Sequence, residues 1–334
     1  MRLELLLKKK YNYKVESIKK LVGGYRNTCF QIHSGDEKLL LVIYKREEGI
    51  KQTIKNAHTV AKFLSQSNFP VRIPKSTNTG KEYIRIKGKD GYHFVSLYNY
   101  LEGRTIPWEA YTRRHLKSIG KTLSDMHHNL QQIRNKHQQI SQLPKWEEIT
   151  EAEIVAMKKY FKKVEPWIEK KLEVKLDWEK LEKIFKRLIP DVITFRPNIL
   201  HYDFVRGNIL FSQRLNKKLD VYPITGILDF EKVCIGPEIA DIARSLAFLI
   251  IDCKFKDEVT VRKRFLISGY ERRGKSKLPF AGVEDPVLDN LLCFFWLRDF
   301  WKFLVHNPYE DLYINEHYVR TRDRLVESGI LVYR

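Results

Sequence analysis

Much that would place this chain at a glance is missing from it. Four of its 334 residues are cysteines, Cys29, Cys234, Cys253 and Cys293, and no two stand as Cys-x-x-Cys. That spacing excludes a zinc ribbon or a redox pair and predicts buried free thiols. No apolar run approaches membrane-spanning length. The leucines at 3 and 5 to 7 give way at once to Lys8, Lys9 and Lys10, too short a stretch for a signal-peptide core. These features fit a cytoplasmic protein without a membrane span. No internal repeat and no low-complexity linker break the chain. Acidic residues are outnumbered, 41 against 61 basic ones, leaving a formal charge of +20 that favours anionic partners and disfavours polycationic ones.

What is present predicts a folded enzyme-sized protein. Apolar residues make up 43% of the chain and aromatics 12%, enough to build a core and to exclude a disordered composition. At this length two unequal lobes are expected. Much of the basic excess lies on periodic stretches, Met157 to Lys171 and Trp178 to Arg187, where lysines alternate with glutamates and apolar residues. Solvated helix faces laced with ion pairs explain that pattern better than a nucleic-acid groove. No aromatic-basic motif of the known nucleic-acid modules is present, so no specific nucleic-acid partner is expected.

Residues 17 to 44 read as paired strands with a Gly23-Gly24 corner, a turn at Ser34-Gly35-Asp36 and an apolar run from Leu39 to Tyr44. A helix is predicted over Ile54 to Leu64, then strands over Glu82 to Ile86 and Tyr92 to Leu97. The first hundred residues thus resemble a small sheet with one helix. Beyond Gly103 and Pro107 the pattern turns helical, with Leu116, Ile119, Leu123, Met126 and Leu130 on one stripe and two charged amphipathic helices between Trp146 and Leu188. Short β-like runs return at Ile209 to Phe211 and Val221 to Leu228, and helices follow Pro237.

The strongest chemical signal is His201-Tyr202-Asp203-Phe204-Val205-Arg206-Gly207-Asn208, followed by Gly226-Ile227-Leu228-Asp229-Phe230-Glu231. Phosphoryl transfer needs a carboxylate to orient or accept the proton of the attacking hydroxyl, and oxygen ligands to hold magnesium against nucleotide phosphates. Asp203, Asn208 and Asp229 supply that set. Five positions separate the first aspartate from the asparagine, so one loop delivers a base at its start and a metal ligand at its end.

These segments resemble the aminoglycoside phosphotransferase and choline kinase-like superfamily, in which H-x-D and D-x-D/E replace the protein-kinase motifs. The resemblance implies an α+β, protein-kinase-like fold. Residues 1–100 would form a small N-terminal antiparallel sheet lobe that binds nucleotide. Residues 101–334 would form a larger helical C-terminal lobe carrying the catalytic loop and the acceptor site. It implies ATP and Mg2+ as cofactors, Asp203 as catalytic base, Asn208 and Asp229 as metal ligands, His201 as a prop of the loop and Asp241 as a residue that orders it. Gly23 and Gly24 resemble a phosphate-covering loop, and Tyr100 and Leu101 the connection whose backbone meets the adenine edge.

One departure stands out. Lys45, at the end of Leu41-Val42-Ile43-Tyr44-Lys45, is the candidate for the strand lysine that contacts phosphates. Counting without gaps from Phe30, however, puts Val42 at that position. The helix that should carry the partner glutamate has His58 and Thr59 there and no acid. Three readings stay open: neutralisation by another basic residue such as Lys45 or Arg46, a place near the homoserine kinase branch, or a chain that binds nucleotide without turnover. The acceptor is expected to be a small neutral or zwitterionic alcohol, homoserine-, sugar- or amino-alcohol-like. An aminoglycoside is the poorer match to a chain of this charge.

Overall fold

The computed structural model describes residues 3–21, 26–88, 90–134, 142–271, 277–280, 282–307 and 309–333. The chain divides into two compact units, Met1–Arg104 with Leu210–Ser212 and Ile224–Lys232, and Thr105–Ile209 with Gln213–Pro223 and Val233–Arg334. A single cut between residues 100 and 101 does not describe this division, because the strands near 210 and 225 fold with the N-terminal residues.

In the first unit, helix α1 (Leu3–Tyr11) precedes strands β1 (Ser17–Lys20), β2 (Thr28–Ser34) and β3 (Glu37–Ile43), helix α2 (Ile50–Gln66), and strands β4 (Ile84–Gly88) and β5 (Gly91–Asn99). The strands form one antiparallel sheet in the order β1-β2-β3-β5-β4. Successive side chains on a strand face opposite ways, and β3 uses both faces. Leu39 and Leu41 pack with Ile32, Val95, Leu97 and the α1 residues Leu7 and Tyr11. Leu40 and Val42 pack with Tyr44, Ile50, Ile54 and Tyr98 on the side of α2. A strand covered on both faces has no place for polar alternation, which is why Leu39 to Val42 are continuously apolar. The expectation of a sheet with one helix is corrected here. The leucine-lysine start of the chain is a second helix, and it covers the sheet face that α2 leaves bare.

A short extended segment, Phe69 to Lys75, joins two parts of this unit through isolated bridges. Val71 pairs in parallel with Ile227, and Pro74 pairs antiparallel with Tyr98. The Ile227 amide donates to the Pro70 carbonyl at 2.7 Å, and the Lys75 amide to Leu97 at the same distance.

The second unit begins with helices α3 (Arg113–Arg134) and α4 (Trp146–Leu172), strand β6 (Val174–Leu176), helix α5 (Trp178–Val192) and strand β7 (Pro197–Leu200). Strands β8 (Ile209–Phe211) and β9 (Ile224–Ile227) pair with each other, and all but Ile209 fold with the first unit. Strand β10 (Cys234–Pro237), helices α6 (Glu238–Asp252), α7 (Glu258–Phe265), α8 (Pro286–His306) and α9 (Glu316–Glu327), and strand β11 (Leu331–Tyr333) complete the chain. The predicted α3 stripe from Leu116 to Leu130 is fully buried. At Gly120 a Cβ would stand 2.1 Å from the Phe265 carbonyl oxygen, so only glycine lets α3 approach the turn after α7 this closely. Helix α8 starts at a capping Asp285 that accepts from the Val287 amide at 2.8 Å, with Pro286 in the first turn where no amide is needed. All four cysteines are free; Cys234 and Cys253 are buried, whereas Cys29 and Cys293 are only partly so. No described helix is long and apolar enough to cross a membrane.

Candidate active site

In the second unit, β7 pairs with β10 and runs straight into the loop that begins at His201. Asp241, on the first turn of α6 and fully buried, fixes the start of that loop. One of its oxygens accepts from the His201 amide at 2.9 Å, the other from the Tyr202 amide at 2.9 Å. The His127 Nε2 lies 3.1 Å from the same carboxylate, and the His127 Nδ1 lies 2.8 Å from the Tyr270 hydroxyl. Tyr202 adopts φ of 59°, a conformation that costs a bulky side chain on the order of 1–3 kcal/mol and persists where neighbours over-determine it. Two amides clamped by one buried carboxylate do so here. His201 Nδ1 then accepts from the Asp203 amide at 3.2 Å.

Asp203 is 8% exposed. Arg244 binds Asp299 through one nitrogen at 2.9 and 3.0 Å and brings another within 3.7 Å of Asp203 Oδ1. The Asn208 amide nitrogen donates to the Asp203 carbonyl oxygen at 2.9 Å and to its carboxylate at 3.2 Å. With its nitrogen committed to Asp203, Asn208 presents its carbonyl oxygen on the other side, the atom a hard cation would use. Between the two, Arg206 lies 3.2 Å from Asp252 and 4.5 Å above the Trp108 ring, which holds the middle of the loop.

In the first unit the chain leaves β9 and turns sharply at Asp229, whose φ is 58°. The Glu231 amide approaches its Oδ1 at 3.4 Å. Glu231 Oε1 accepts from the Asn27 side chain at 2.5 Å, and its Oε2, buried without a hydrogen bond, lies 3.6 Å from Arg26. Burial, then the nearby Asp229 charge, pushes Glu231 up to about 7, with Arg26 and Asn27 opposing. Arg26 is also paired with Glu47. Asn27 Oδ1 accepts from the Lys45 amide at 3.0 Å, so the loop before β2, the end of β3 and the turn at Asp229 are tied together. Among the described residues no three His, Cys, Asp or Glu side chains gather as a metal cage.

The remaining predicted residues belong to the first unit. Lys45 lies past the end of β3 and is exposed. Val42, opposite Cys29 on β2, shares the α2 side of the sheet with Leu40 and Tyr44. Arg46 is committed to the Asp90 carbonyl. The Tyr100 amide donates to the Lys38 carbonyl at 3.2 Å. Gly23 and Gly24 lie outside the described residues.

On α2, His58 replaces the expected glutamate. Its Nε2 lies 2.7 Å from the Tyr98 hydroxyl, which bonds the Tyr44 hydroxyl in turn. Burial lowers His58 to about 4, with Glu82 acting the other way. Sequence reasoning also passed over Arg72, on the Phe69 to Lys75 segment. Its one visible signal was a lone charge inside the apolar run Phe69-Pro70-Val71-Arg72-Ile73-Pro74.

Comparison with known proteins agrees with this architecture. The model of the phosphotransferase enzyme family matches residues 17–272. Among solved structures, an amicoumacin kinase in complex with AMP-PNP, Ca2+ and Ami is 16% identical, with a TM-score of 0.70, covering 98% of this chain and 93% of its own. A microcompartment-associated aminopropanol kinase is 13% identical with a TM-score of 0.63, covering 99% of each chain. A spectinomycin phosphotransferase bound to ADP and spectinomycin is 16% identical with a TM-score of 0.58, covering 96% of this chain and 93% of its own. The fold is therefore kinase-like, with an antiparallel sheet in its N-terminal part and helices in its C-terminal part. No curated protein matches the chain.

Proposed function

The chain belongs to the phosphotransferase enzyme family, and from that premise we propose that it moves the γ-phosphoryl group of ATP to a hydroxyl of a small molecule, with Mg2+ as the required cation. The observation that carries this reading is the bond between Asn208 and Asp203. It makes the predicted base and a predicted metal ligand one rigid unit and turns the asparagine oxygen outward. Asp203 accepts or orients the proton of the attacking hydroxyl, a role worth about 10²- to 10⁴-fold in rate. Asn208 and Asp229 hold the cation, which when bound neutralises charge on the phosphates. Asp241 acts on neither reactant and positions the loop.

For the acceptor we infer a neutral or zwitterionic alcohol of the homoserine, sugar or amino-alcohol kind. The support is the +20 charge of the chain, against which a polycationic aminoglycoside would bind poorly. A second reading, nucleotide binding without turnover, is favoured by Val42 and His58 standing where a lysine and a glutamate were expected. Two measurements separate these outcomes. Thermal denaturation with Mg-ATP should show a rise in Tm, and its absence sinks both readings. Incubation with ATP and a panel of homoserine, choline, ethanolamine, aminopropanol, methylthioribose, hexoses and aminoglycosides should yield a phosphorylated product; binding with no product on any acceptor favours the second reading.

A further inference from the structure

If a strand lysine is absent, the phosphates of a bound nucleotide still carry charge that some group must meet. Among the described residues, Arg26, Lys45, Arg46, Arg72 and Lys232 lie near the turn at Asp229 or at the end of β3. Arg26 is shared between Glu47 and Glu231, Arg46 bonds the Asp90 carbonyl, Lys45 is exposed beyond the strand, and Lys232 ends the short helix after Asp229. Arg72 differs from these in its burial and its bonding. Resting on the phosphotransferase reading above, we propose that Arg72 is the residue that binds the nucleotide phosphates in this chain, in place of a lysine at position 42.

The placement of Arg72 follows from its two flanking bridges. The parallel bridge of Val71 to Ile227 aligns residues 70 to 72 with the strand end that leads into Asp229. The bridge of Pro74 to Tyr98 holds the other side against β5. Arg72 thereby feels the charge of Asp229 and the polar atoms of Cys29, Tyr44 and Tyr98. Cys29 is the residue paired with Val42, and Val42, Tyr44 and Tyr98 share the α2 side of the sheet. Arg72 is thus beside the position a strand lysine would occupy, reached from a different segment of chain.

Its bonding state is the second observation. The Arg72 Nε is buried and has no hydrogen-bond partner, and among the described residues no ion pair joins it to a carboxylate. A buried donor without a partner is costly, and the guanidinium that carries it is a fork of donors suited to phosphate oxygens. Burial lowers the pKa of the group, with Cys29, Tyr98, Asp229 and Tyr44 acting the other way. Arg72 as a whole is only partly buried.

The test is a binding comparison that does not depend on the acceptor. Calorimetry with Mg-ATP and with adenosine gives an affinity ratio for the unaltered chain, Arg72→Met and Arg72→Lys. Arg72→Met should lose about 10- to 100-fold in ATP affinity, the range of a charge-assisted contact, and keep adenosine affinity within about twofold. Arg72→Lys should recover part of the loss. Should Arg72→Met not fold, Arg72→Gln, which keeps polarity without charge, reads the same ratio. An unchanged ratio in the neutral variants, with ATP still bound by the unaltered chain, would falsify the role of Arg72 and leave the phosphotransferase reading intact. Failure of the unaltered chain to bind either ligand would overturn both.

Discussion

The loop from His201 to Asn208 and the turn from Asp229 to Glu231 both carry acids assigned to one reaction, and they are built in opposite ways. Around the loop, a fully buried carboxylate, Asp241, clamps two backbone amides, Asn208 is bonded to Asp203, and Arg244 is held by Asp299. Around the turn, charge is concentrated and poorly compensated. Asp229 and Glu231 lie close enough to raise the latter's pKa, Glu231 Oε2 lacks a hydrogen bond, and so does Arg72 Nε. Both regions keep buried polar atoms without a hydrogen bond, the Tyr202 hydroxyl and Arg244 Nε beside the loop and Glu231 Oε2 and Arg72 Nε beside the turn, so what sets the loop apart is its clamped backbone. On the function proposed above, proton handling falls to the loop and ligand charge to the turn.

The largest effect should come from cutting the loop at its acid. Asp203→Asn keeps the shape and removes the base, so product formation should fall about 10³-fold or more, while Mg-ATP affinity by calorimetry changes less than about twofold. Equal loss of both would erase the division of labour between the two regions. Next in size is removal of the clamp. Asp241→Ala leaves the His201 and Tyr202 amides unpaired in a buried place and should lower the urea-unfolding free energy by about 3 kcal/mol. Retention of full stability would show that the strained Tyr202 backbone is held by packing alone.

A smaller effect tests the first unit through pH. His58 has its pKa depressed to about 4 by burial, facing Tyr98, Glu82 and Lys62, against an ordinary value near 6.5. In the unfolded chain it takes up a proton as pH drops past 6.5, whereas the folded chain resists until about 4. Unfolding therefore gains a proton in that window, and stability falls as pH falls through it, by roughly 3 kcal/mol from this group. His58→Gln, which retains a hydrogen bond to Tyr98 without titrating, should flatten that part of the profile. An identical acid limb would place the sensitivity elsewhere, with His115, buried in the second unit and also lowered to about 4, the first group to replace.

Legibility in the sequence differed between the two regions for the same physical reason. The loop could be read because its chemistry is local: the base and the asparagine are five residues apart, and the flanking β-like runs and helix pattern announce the elements that carry them. The strands of the first unit were equally plain, since alternation and a doubly covered apolar run leave direct traces in residue order. Helix α1 was not, because a short leucine-lysine stretch has no helical need until a sheet face stands against it. Arg72 was invisible as a functional residue, since isolated bridges to Ile227 and Tyr98, distant in sequence, decide where it lies. The assignment of Lys45 rested on its type and its place at the end of an apolar run, and only the structure shows that β3 ends before it, at Ile43.

Residue order alone determined the chemistry available to this protein: two acids and an amide in a spacing that suits phosphoryl transfer, two strand-rich and helix-rich stretches, and a strong positive charge. Tertiary structure decided which of its cations are paired and which buried donor, Arg72 Nε, is not. Periodicity and spacing are written along one chain, whereas the pairing of a buried charge depends on segments brought together from far apart, and no local pattern records that.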